Sequence, residues 1–598
     1  MPSPKKFINE PSEAVSEFIS GLLLQYPNKL QKLANHNVIL SSSVTRNGSS
    51  NDKVCILSGG GSGHEPSHAG WIGRGMLTGA ILGGIFASPS VASILAAIRA
   101  VTPDPSNGGQ GKGCLLIVKN YTGDRLNFGM AAEIANGEGR NVKMVVVADD
   151  SALERSKGVT GARGVAGTVL VHKVAGAAAE KGYDLDQVVM LAQNMADGVR
   201  SLGVALNAVT IPGASVVNDR LDDETIEIGM GIHGEAGLKQ SPLRTADELA
   251  SVMIKTILDF GVEEGEGKNK SIVPAFNNGD DLCVLVNNLG GTSNFEMSIL
   301  ANSVVKQLEG DEFGKCSVSR LYVGSFMTSF DMQGASISIV SLSKSGHLCE
   351  FLDDDTDAIA WQKADVVQGE RPSAMELPEV EPPQKSERNY SHVQVDDFDF
   401  DTVQRMVVAA CNSLIESEPI LTKYDTIVGD GDCGMTMERG AKEILARLDS
   451  NELGTSPAPF FESLAVAVSA SMGGTSGILL EICFRKMSTF LNAQKSINSE
   501  SIKVAFAQGV EAISFYGGAT AGSRTMLDAL IPAVEAMKEG RNFDDAAKAA
   551  TKGAQLTAAM TSASAGRSNY LSQESLSGTP DPGAIAVGIV LSAIQKAR

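Results

Sequence analysis

The sequence has a deficit of basic residues and contains no paired cysteine motif. Lysine and arginine number 50 against 70 aspartates and glutamates, so the formal net charge is −20 at pH 7. A charge of this sign repels a phosphate backbone, and nucleic-acid binding is therefore a poor hypothesis. The eight cysteines include no C-x-x-C pair, which fits neither a disulfide framework nor a structural zinc site. We expect a reducing compartment.

The chain also lacks the signals of export and membrane insertion. Residues 1–15 contain no apolar signal-peptide core and are too acidic and too poor in arginine for a typical transit peptide. Two uncharged stretches, 75–98 and 463–480, reach the length of a membrane span, but Gly, Ser and Thr interrupt both. We expect a cytoplasmic protein in which these stretches are buried in soluble domains, with no membrane partner.

The residues that are present favour packed domains. Hydrophobic residues make up 43% of the 598 residues, and 63 residues are glycine. This mixture is typical of packed cores joined by tight turns and excludes a disordered or fibrous chain. At about 150 residues per domain, the length predicts about four domains or subdomains.

A proline-rich segment separates two parts of different periodicity. Four prolines fall among charged residues between positions 372 and 383, which is typical of an interdomain linker. We therefore predict one domain at 1–371, a linker at 372–392 and a second domain at 393–598. The first contains β-rich runs such as VCIL and CLLIV between helix-length stretches, which predicts an α/β fold. The second has apolar residues at helical spacing and is predicted to be all α.

Two polar loops in the first part follow predicted strands. The segment VCILSGGGSGHEPSH places four glycines before His64, which lets the backbone approach a ligand closely, although a tight turn with a surface histidine explains it too. The segment CLLIVKNYTGD runs from a strand into Lys119 and Asp124. Because the carboxyl ends of strands border the ligand crevice in open α/β sheets, Asp124 is a candidate functional residue. The alternative is a helix N-cap.

A third motif surrounds His233 with glycines. Residues 229–234 in GMGIHGE match the dinucleotide pattern G-x-G-x-x-G, but a glycine and a proline follow where that pattern needs a helix. We reject the dinucleotide interpretation. An accessible neutral imidazole acts as a base, a ligand or a nucleophile, and a surface histidine without a function remains the alternative.

The most specific signal is a cluster of carboxylates in VGDGDCG. Asp425, Asp430 and Asp432 lie within eight residues at a glycine-rich turn. Crowded carboxylates repel one another unless a cation lies between them, and oxygen ligands suit Mg²⁺, which shares its shell with substrate phosphates. The pattern predicts a nucleotide–metal site, with a solvated acidic turn as the alternative. Further along the same predicted helical domain, GGTSG before an apolar helix and Arg567 offer further phosphate contacts.

Taken in order, SGGGSGHEP, KNYTGD, GMGIHGE, VGDGDCG, GGTSG and DPGA resemble the ATP-dependent dihydroxyacetone kinases of the single-chain, two-domain type, also called glycerone kinases or triokinases. The resemblance implies an N-terminal α/β substrate domain of two subdomains and a C-terminal α-helical barrel that carries ATP. It also implies a homodimer. Bacterial relatives that take phosphate from a phosphocarrier protein have separate chains, so the fusion favours ATP with Mg²⁺.

The resemblance also implies residue roles. His233 matches the histidine that forms a hemiaminal with the substrate carbonyl. Given that chemistry, we take Asp124 as the candidate to orient or deprotonate the attacking hydroxyl and His64 as the candidate to hydrogen-bond the substrate. The triose-binding residues that match are Gly61, Ser62, Gly63, His64, Lys119 and Asp124. The matching metal ligands are Asp425, Asp430 and Asp432. The matching nucleotide contacts are Cys433, Gly434, Met435, Thr436, Thr475, Ser476, Gly517, Met526, Arg567, Asp581, Pro582 and Gly583.

Phosphorylation of dihydroxyacetone and of glyceraldehyde is thus the predicted activity, and glycerol is predicted to be excluded because an imidazole adds to a carbonyl and not to an alcohol carbon. Two alternatives stay open. Some animal relatives also cleave FAD to cyclic FMN at the nucleotide site. Other relatives are regulatory proteins, so a triose sensor without turnover is the second alternative, against which the three aspartates argue.

Overall fold

The structure is a computed structural model. It describes residues 5–44, 52–105, 111–153, 161–214, 220–264, 271–344, 348–367, 394–395, 399–565 and 567–598, without the side chains of Glu264, Gln394 and Arg567. The chain divides into two compact units, Met1–Glu376 and Leu377–Arg598, called here the N-terminal and the C-terminal unit. The boundary falls within the predicted linker 372–392. That segment lies outside the described residues, so the linker stays a prediction.

The N-terminal unit contains strands and helices in alternation, as its periodicity predicts. Its strands are β1 Leu30–Lys32, β2 Val38–Ser41, β3 Cys55–Ser62, β4 Gly79–Ile85, β5 Cys114–Lys119, β6 Val142–Val147, β7 Arg200–Ala205, β8 Thr225–Ile228, β9 Lys239–Pro242, β10 Val262–Glu264, β11 Ser271–Val273, β12 Asp281–Asn288, β13 Ser317–Gly324 and β14 Gly334–Ser341. Its helices are α1 Ala14–Gln25, α2 Val91–Val101, α3 Thr122–Gly137, α4 Thr168–Glu180, α5 Leu185–Gly198, α6 Ala246–Phe260, α7 Asn294–Glu309 and α8 Leu348–Asp353.

The first sheet has helices on both faces. Its strand order is β1-β2-β4-β3-β5-β6, and β4, β3, β5 and β6 run parallel to one another. Residues of α2 and α3 share a core with one face, and residues of α4 and α5 share a core with the other. All six residues of β5 are buried, which explains its uninterrupted apolar sequence. The carboxyl ends of β3 and β5 therefore lie side by side.

The second sheet is mostly antiparallel. Its strand order is β13-β12-β14-β7-β8-β9, with β12 and β13 as a parallel pair; β10 and β11 form a separate antiparallel pair. One face packs on α6 and α7. Helix α4 is buried almost throughout, and its core also contains residues of both sheets. The two sheets are thus the two predicted subdomains, packed around a shared helical layer.

The C-terminal unit is helical. Its helices are α9 Phe400–Glu416, α10 Glu418–Val428, α11 Cys433–Asp449, α12 Pro457–Ser471, α13 Gly474–Asn492, α14 Ser499–Gly517, α15 Leu527–Lys538, α16 Phe543–Leu556, α17 Gln573–Leu576 and α18 Pro582–Ala597, and the short strands β15 Gln394–Val395 and β16 Ser496–Ile497 form a parallel pair. Eight helices close a ring in the order α9, α11, α12, α13, α14, α15, α16 and α18, because α18 packs back on α9. The predicted barrel is confirmed.

Both uncharged stretches belong to packed elements of these units. Residues 75–98 include β4 and the start of α2, and residues 463–480 include the end of α12 and the start of α13. Within the described ranges, the structure contains no helix with the length and hydrophobicity of a transmembrane segment.

Candidate functional site

His233 lies on the loop after β8 and forms a pair with Glu235. The Nδ1 atom of His233 lies 2.7 Å from Oε1 of Glu235, and its backbone N–H donates to Oε2 at 2.9 Å. Burial raises the pKa of Glu235, but the bonds from His233 outweigh it and lower that pKa to about 2. An ionised carboxylate only accepts hydrogen bonds. Nδ1 of His233 therefore carries the proton, and the lone pair of Nε2 is available to a carbonyl carbon.

His64 is a second imidazole whose protonation the structure determines. Its Nδ1 lies 2.8 Å from the carbonyl oxygen of Thr328, which can only accept, so Nδ1 carries the proton. Burial lowers the pKa of His64 well below its ordinary value, and the charge of Lys119 adds to this effect. Its Nε2 is buried and meets no hydrogen-bond partner among the described residues. His64 is therefore a neutral acceptor with one free lone pair.

Aromatic rings enclose His233. The rings of His64, Phe86 and Tyr121 all contact it edge-on, at centroid distances of 4.9, 5.1 and 4.8 Å. Phe330 packs on Phe86 behind this group, at 5.2 Å. The His233 side chain nevertheless keeps 21% of its surface exposed. The imidazole is thus held in one orientation and remains accessible.

The predicted glycine loop is in large part the end of a strand, because Gly59, Gly60 and Gly61 belong to β3. The residues predicted from the KNYTGD motif meet these glycines at the carboxyl ends of β3 and β5. Lys119 Nζ lies 3.7 Å from Oδ2 of Asp124, and both side chains are almost fully buried. Oδ1 of Asp124 accepts a hydrogen bond of 2.5 Å from Ser88. A Cβ atom on Gly60 would lie 2.3 Å from Lys119 Nζ, so only glycine leaves room for this amine. Asp124 lies in the first turn of α3, but its side chain does not cap the helix. The alternative that Asp124 serves only as a helix N-cap is therefore excluded.

The amine of Lys119 contacts a buried hydrogen-bond network of two imidazoles and a serine hydroxyl. Ser58 donates its hydroxyl proton to the carbonyl oxygen of Ile117 at 2.7 Å, so the ring nitrogens of His68 and His172 must donate to Ser58 at 3.3 and 3.1 Å. The other nitrogen of His68 then accepts from Lys119 Nζ at 3.2 Å. Burial lowers the pKa of His172 to about 3 and that of His68 well below its ordinary value. Both rings are therefore neutral at physiological pH.

Ser62 is another residue predicted to touch the triose, and its side chain bonds to the protein backbone. Ser62 is buried, and its hydroxyl donates to the carbonyl oxygen of Gly83 at 2.8 Å. Gly61 packs against the backbone of Phe86 and Ala87. Gly63 packs against the rings of Phe86 and Phe330. The side chain of Ser62 thus fixes the end of β3 on β4.

In the C-terminal unit, the three predicted carboxylates converge between α10 and α11. One oxygen from each of Asp425, Asp430 and Asp432 lies within 4.8 Å of the others. Asp425 is buried, and its Oδ2 accepts the backbone N–H groups of Asp432 and Cys433 at 2.9 and 3.0 Å. Asp430 and Asp432 are exposed. The donor set, three carboxylates of which two face solvent, fits a Mg²⁺ ion that keeps waters and phosphate oxygens in its shell.

The predicted nucleotide contacts gather at helix ends. Cys433, Gly434, Met435 and Thr436 form the first turn of α11, while Thr475 and Ser476 lie in the first turn of α13. Gly517 ends α14, Met526 caps α15, and Asp581 with Pro582 and Gly583 begins α18. Four of these groups lie at helix N-termini, where backbone N–H groups and the helix dipole favour phosphate. The side chain of Arg567 lies outside the described residues, so its contact stays a prediction.

Two of these residues also have structural work. Asp581 accepts the N–H of Ala584 at 2.7 Å and so caps α18; burial raises its pKa to about 7. A Cβ atom on Gly434 would lie 2.3 Å from Oγ1 of Thr422 on α10. Gly434 is therefore required for the close packing of α10 on α11, which places the three aspartates.

Comparison with known proteins covers both units. A Dak1 domain matches residues 20–360 and a DAK2 domain matches residues 427–596. A putative 3,4-dihydroxy-2-butanone kinase of Solanum lycopersicum is 42% identical over 97% of this chain and 96% of its own. The triokinase/FMN cyclase of Homo sapiens is 38% identical over 99% of this chain and 98% of its own.

The chain belongs to the dihydroxyacetone kinase family. Among solved structures of the family, the dihydroxyacetone kinase from C. freundii in complex with AMP-PNP and Mg²⁺ matches with a TM-score of 0.62, at 33% identity and over the whole of both chains. The resemblance inferred from the motifs is thus confirmed, and so is the fold that it implies.

Sequence reasoning missed several residues that the structure places at the site. Glu235 stands inside the GMGIHGE motif, and its position two residues after His233, across a glycine, was the available signal. Tyr121 stands in KNYTGD between two residues that the resemblance singled out. Nothing in the local sequence marked Phe86 or Ser88, because each reaches the site only through the packing of distant segments.

Proposed function

We propose that this protein transfers the γ-phosphoryl group of ATP to a terminal hydroxyl of dihydroxyacetone, and of glyceraldehyde, while the substrate carbonyl is held as a hemiaminal on His233. The observation that carries the activity is the full-length similarity to kinases named for dihydroxyacetone and related ketones. The geometry of the N-terminal unit supports the covalent tether, because the hydrogen bond that Nδ1–H donates to Glu235 leaves the other ring nitrogen of His233, Nε2, with a free lone pair.

The tether forms when Nε2 of His233 adds to the carbonyl carbon. The N–C bond forms as the C=O π bond breaks, and the carbonyl oxygen takes up one proton while Nδ1 gives up one. Glu235 accepts the hydrogen bond of Nδ1 and stabilises the positive charge that develops on the ring. An alcohol carbon offers no π bond to open, so glycerol is excluded by its chemistry.

Asp124 then acts as the base for the attacking hydroxyl. Its Oδ1 is held by Ser88 and its Oδ2 faces Lys119 Nζ, so the carboxylate is fixed in one orientation. The hydroxyl proton passes to Asp124 as the oxygen attacks the phosphorus. His64 offers its free Nε2 to a substrate hydroxyl. The proposed triose-binding set is completed by Gly61, Ser62, Gly63 and Lys119.

The C-terminal unit holds the nucleotide. Asp425, Asp430 and Asp432 are the side chains that would hold Mg²⁺, and that ion supplies charge neutralisation to the transferring phosphoryl group. The N-termini of α11, α13, α15 and α18 bind the anionic nucleotide, and the predicted contacts of these four helix ends line its site. We assign Arg567 the same role.

The test is a coupled assay of ADP release with Mg-ATP and three acceptors: dihydroxyacetone, D-glyceraldehyde and glycerol. We expect turnover with the two carbonyl compounds and none with glycerol, and we expect His233→Ala to lose the carbonyl-dependent rate. Equal turnover of glycerol would refute the tether while leaving the kinase intact. No ADP release with any acceptor would refute the kinase.

A second activity is proposed from the names of relatives alone. Four mammalian proteins that match at 37–38% identity over 99% of this chain are named triokinase/FMN cyclase. We propose that the nucleotide site also cleaves FAD to cyclic FMN. Incubation with FAD and Mn²⁺, followed by chromatography, measures this directly. The product is expected from the wild type and not from Asp430→Asn.

We also propose a homodimer in a reducing compartment such as the cytoplasm. The eight cysteines all lie among the described residues and none of them is in a disulfide bond, which fits reducing conditions. Light scattering in solution measures the oligomer, with twice the chain mass as the expected result and a monomer as the contrary one.

A further inference from the structure

The hydroxyl of Tyr121 is a buried group that the proposed mechanism does not use. Tyr121 follows β5 and precedes α3, and its ring contacts the ring of His233 edge-on at 4.8 Å. Its oxygen is buried and finds no hydrogen-bond partner in the described part of the chain. A buried hydroxyl without a partner costs free energy. A group that enters the site beside His233 can satisfy it.

The charged group that most affects the Tyr121 phenol is Glu235, the partner of His233, rather than Asp124. Burial raises the pKa of the Tyr121 phenol well above its ordinary value, and Glu235 is the next largest cause. The phenol is therefore a neutral donor and acceptor close to the His233–Glu235 pair. The charge of Asp124 raises the pKa of Tyr121 less than the charge of Glu235 does, and the Asp124 carboxylate is already held by Ser88.

A second unpaired donor lies on the same side. Arg163 donates from Nε to Asp150 at 2.6 Å and from Nη2 to the carbonyl oxygen of Gly229 at 2.7 Å. Its Nη1 is buried and has no hydrogen-bond partner among the residues described. A Cβ atom on Gly231 would lie 2.5 Å from this Nη1 and 2.0 Å from Oε2 of Glu235. Polar atoms thus line the space beside Glu235.

Dihydroxyacetone carries two hydroxymethyl arms on its carbonyl carbon. Once that carbon is bonded to His233, one arm is delivered to Asp124 for phosphorylation, and the other arm needs a hydrogen-bond partner of its own. We infer that the Tyr121 hydroxyl is this partner, which makes Tyr121 a specificity-determining residue that favours ketones with a second hydroxymethyl arm over methyl ketones. The inference rests on the proposed function.

The test compares dihydroxyacetone with hydroxyacetone, in which a methyl group replaces the second hydroxymethyl arm. Tyr121→Phe keeps the ring against His233 and removes only the hydroxyl. We expect it to lower kcat/KM for dihydroxyacetone about tenfold, the effect of one hydrogen bond, and to leave kcat/KM for hydroxyacetone within about twofold. If hydroxyacetone turns over too slowly, its inhibition constant against dihydroxyacetone replaces its kcat/KM.

Tyr183→Phe is the matched control, because Tyr183 packs against Phe351 in the core rather than against His233. It is expected to leave both substrates unchanged. An equal loss on both substrates in Tyr121→Phe would overturn the inference and show that the residue acts through packing. No loss on either substrate would overturn it as well. Failure of the proposed function is distinct, since the wild type would then release no ADP with dihydroxyacetone.

Discussion

In the N-terminal unit the candidate site is made of buried imidazoles held neutral, whereas in the C-terminal unit it is made of carboxylates, two of them exposed, at a helix N-terminus. His64, His68 and His172 are fully buried and lose their affinity for protons. The side chains of Asp430 and Asp432 are exposed. Burial thus keeps the imidazoles around the proposed carbonyl site uncharged, while the proposed nucleotide–metal site keeps two of its charged groups exposed.

On the proposed function, this difference assigns substrate selection to the N-terminal unit and activation of the phosphoryl donor to the C-terminal unit. A neutral imidazole selects its substrate by covalent reactivity, which needs no charge on the substrate. A carboxylate cluster selects hard cations by charge, and so serves any nucleotide–metal complex of suitable shape. Substitutions in one unit are therefore expected to leave the chemical task of the other unit intact.

The largest expected loss of activity comes from replacing the proposed base, Asp124, while leaving the proposed covalent tether, His233, in place. Asp124→Asn removes the proton acceptor, and we expect kcat to fall by about 10² to 10⁴. The ADP-release assay measures the loss. Formation of the hemiaminal, which needs only His233 and Glu235, is expected to survive and serves as the internal control. A variant with full kcat would show that Asp124 is not the base.

The next effect tests the Glu235 partner of His233. Glu235→Gln retains an acceptor for Nδ1 but removes its charge, and a hydrogen bond to a charged group contributes about 1.5–3 kcal/mol. We expect kcat/KM for dihydroxyacetone to fall about 10- to 100-fold. Because the pKa of Glu235 is lowered to about 2, the carboxylate is ionised from pH 4 upward, so the ratio of wild-type to variant rates is expected to stay constant from pH 5 to 8. A ratio that collapses toward one across this range would contradict the assignment.

A smaller effect tests the metal site of the C-terminal unit. Asp432→Asn removes one charged ligand, and we expect the Mg²⁺ concentration for half-maximal activity to rise about tenfold. Asp449→Asn, at the exposed carboxyl end of α11, is the matched control and is expected to behave as the wild type. If both variants needed the same Mg²⁺ concentration, the cluster would be a solvated acidic turn.

The smallest effect concerns stability and the sign of its pH dependence. The folded pKa of His172 is lowered from 6.5 to about 3, so between these values the unfolded chain binds a proton that the folded chain does not. Stability is therefore lost as the pH falls from 6.5, by up to about 1.4 kcal/mol per pH unit. We expect His172→Leu to flatten this slope by that amount.

Tryptophan fluorescence follows this unfolding, because both tryptophans, Trp71 and Trp361, lie in the N-terminal unit. Urea titrations of the wild type and the variant at pH 6.5, 5.5 and 4.5 give the two slopes. Parallel slopes would mean that His172 becomes charged in the folded protein, and the account of neutral buried imidazoles would then be wrong for this residue.

Much of this arrangement was predictable from the sequence, and for local reasons. The β-rich runs predicted β3, β5, β6, β12 and β14 because strands that are largely buried read as near-continuous apolar segments, whether their neighbours are parallel or antiparallel. The three aspartates converge because Asp425 lies in the last turn of α10 while Asp430 and Asp432 lie in the short connection to α11, so their spacing alone sufficed. Closure of the helical ring followed only from the family resemblance, since helical periodicity does not specify which helices are neighbours.

The rest of the site depends on contacts between distant segments. The proton on Nδ1 of His64 is fixed by the carbonyl oxygen of Thr328, which lies 264 residues further along the chain. The aromatic enclosure of His233, which lies on the loop after β8, draws on residues that follow β3, β4 and β5. No periodicity or spacing encodes such contacts, and the resemblance named the reacting residues without the partners that set their protonation.

The central claim is that His233 selects the substrate by bonding to its carbonyl carbon. The direct measurement is ¹³C NMR of dihydroxyacetone labelled at the carbonyl carbon, mixed with stoichiometric protein without ATP. The account predicts a new resonance in the region of sp³ carbons bonded to nitrogen and oxygen, present in the wild type and in Asp124→Asn and absent in His233→Ala. A bound substrate whose carbon keeps the chemical shift of a free ketone would contradict it.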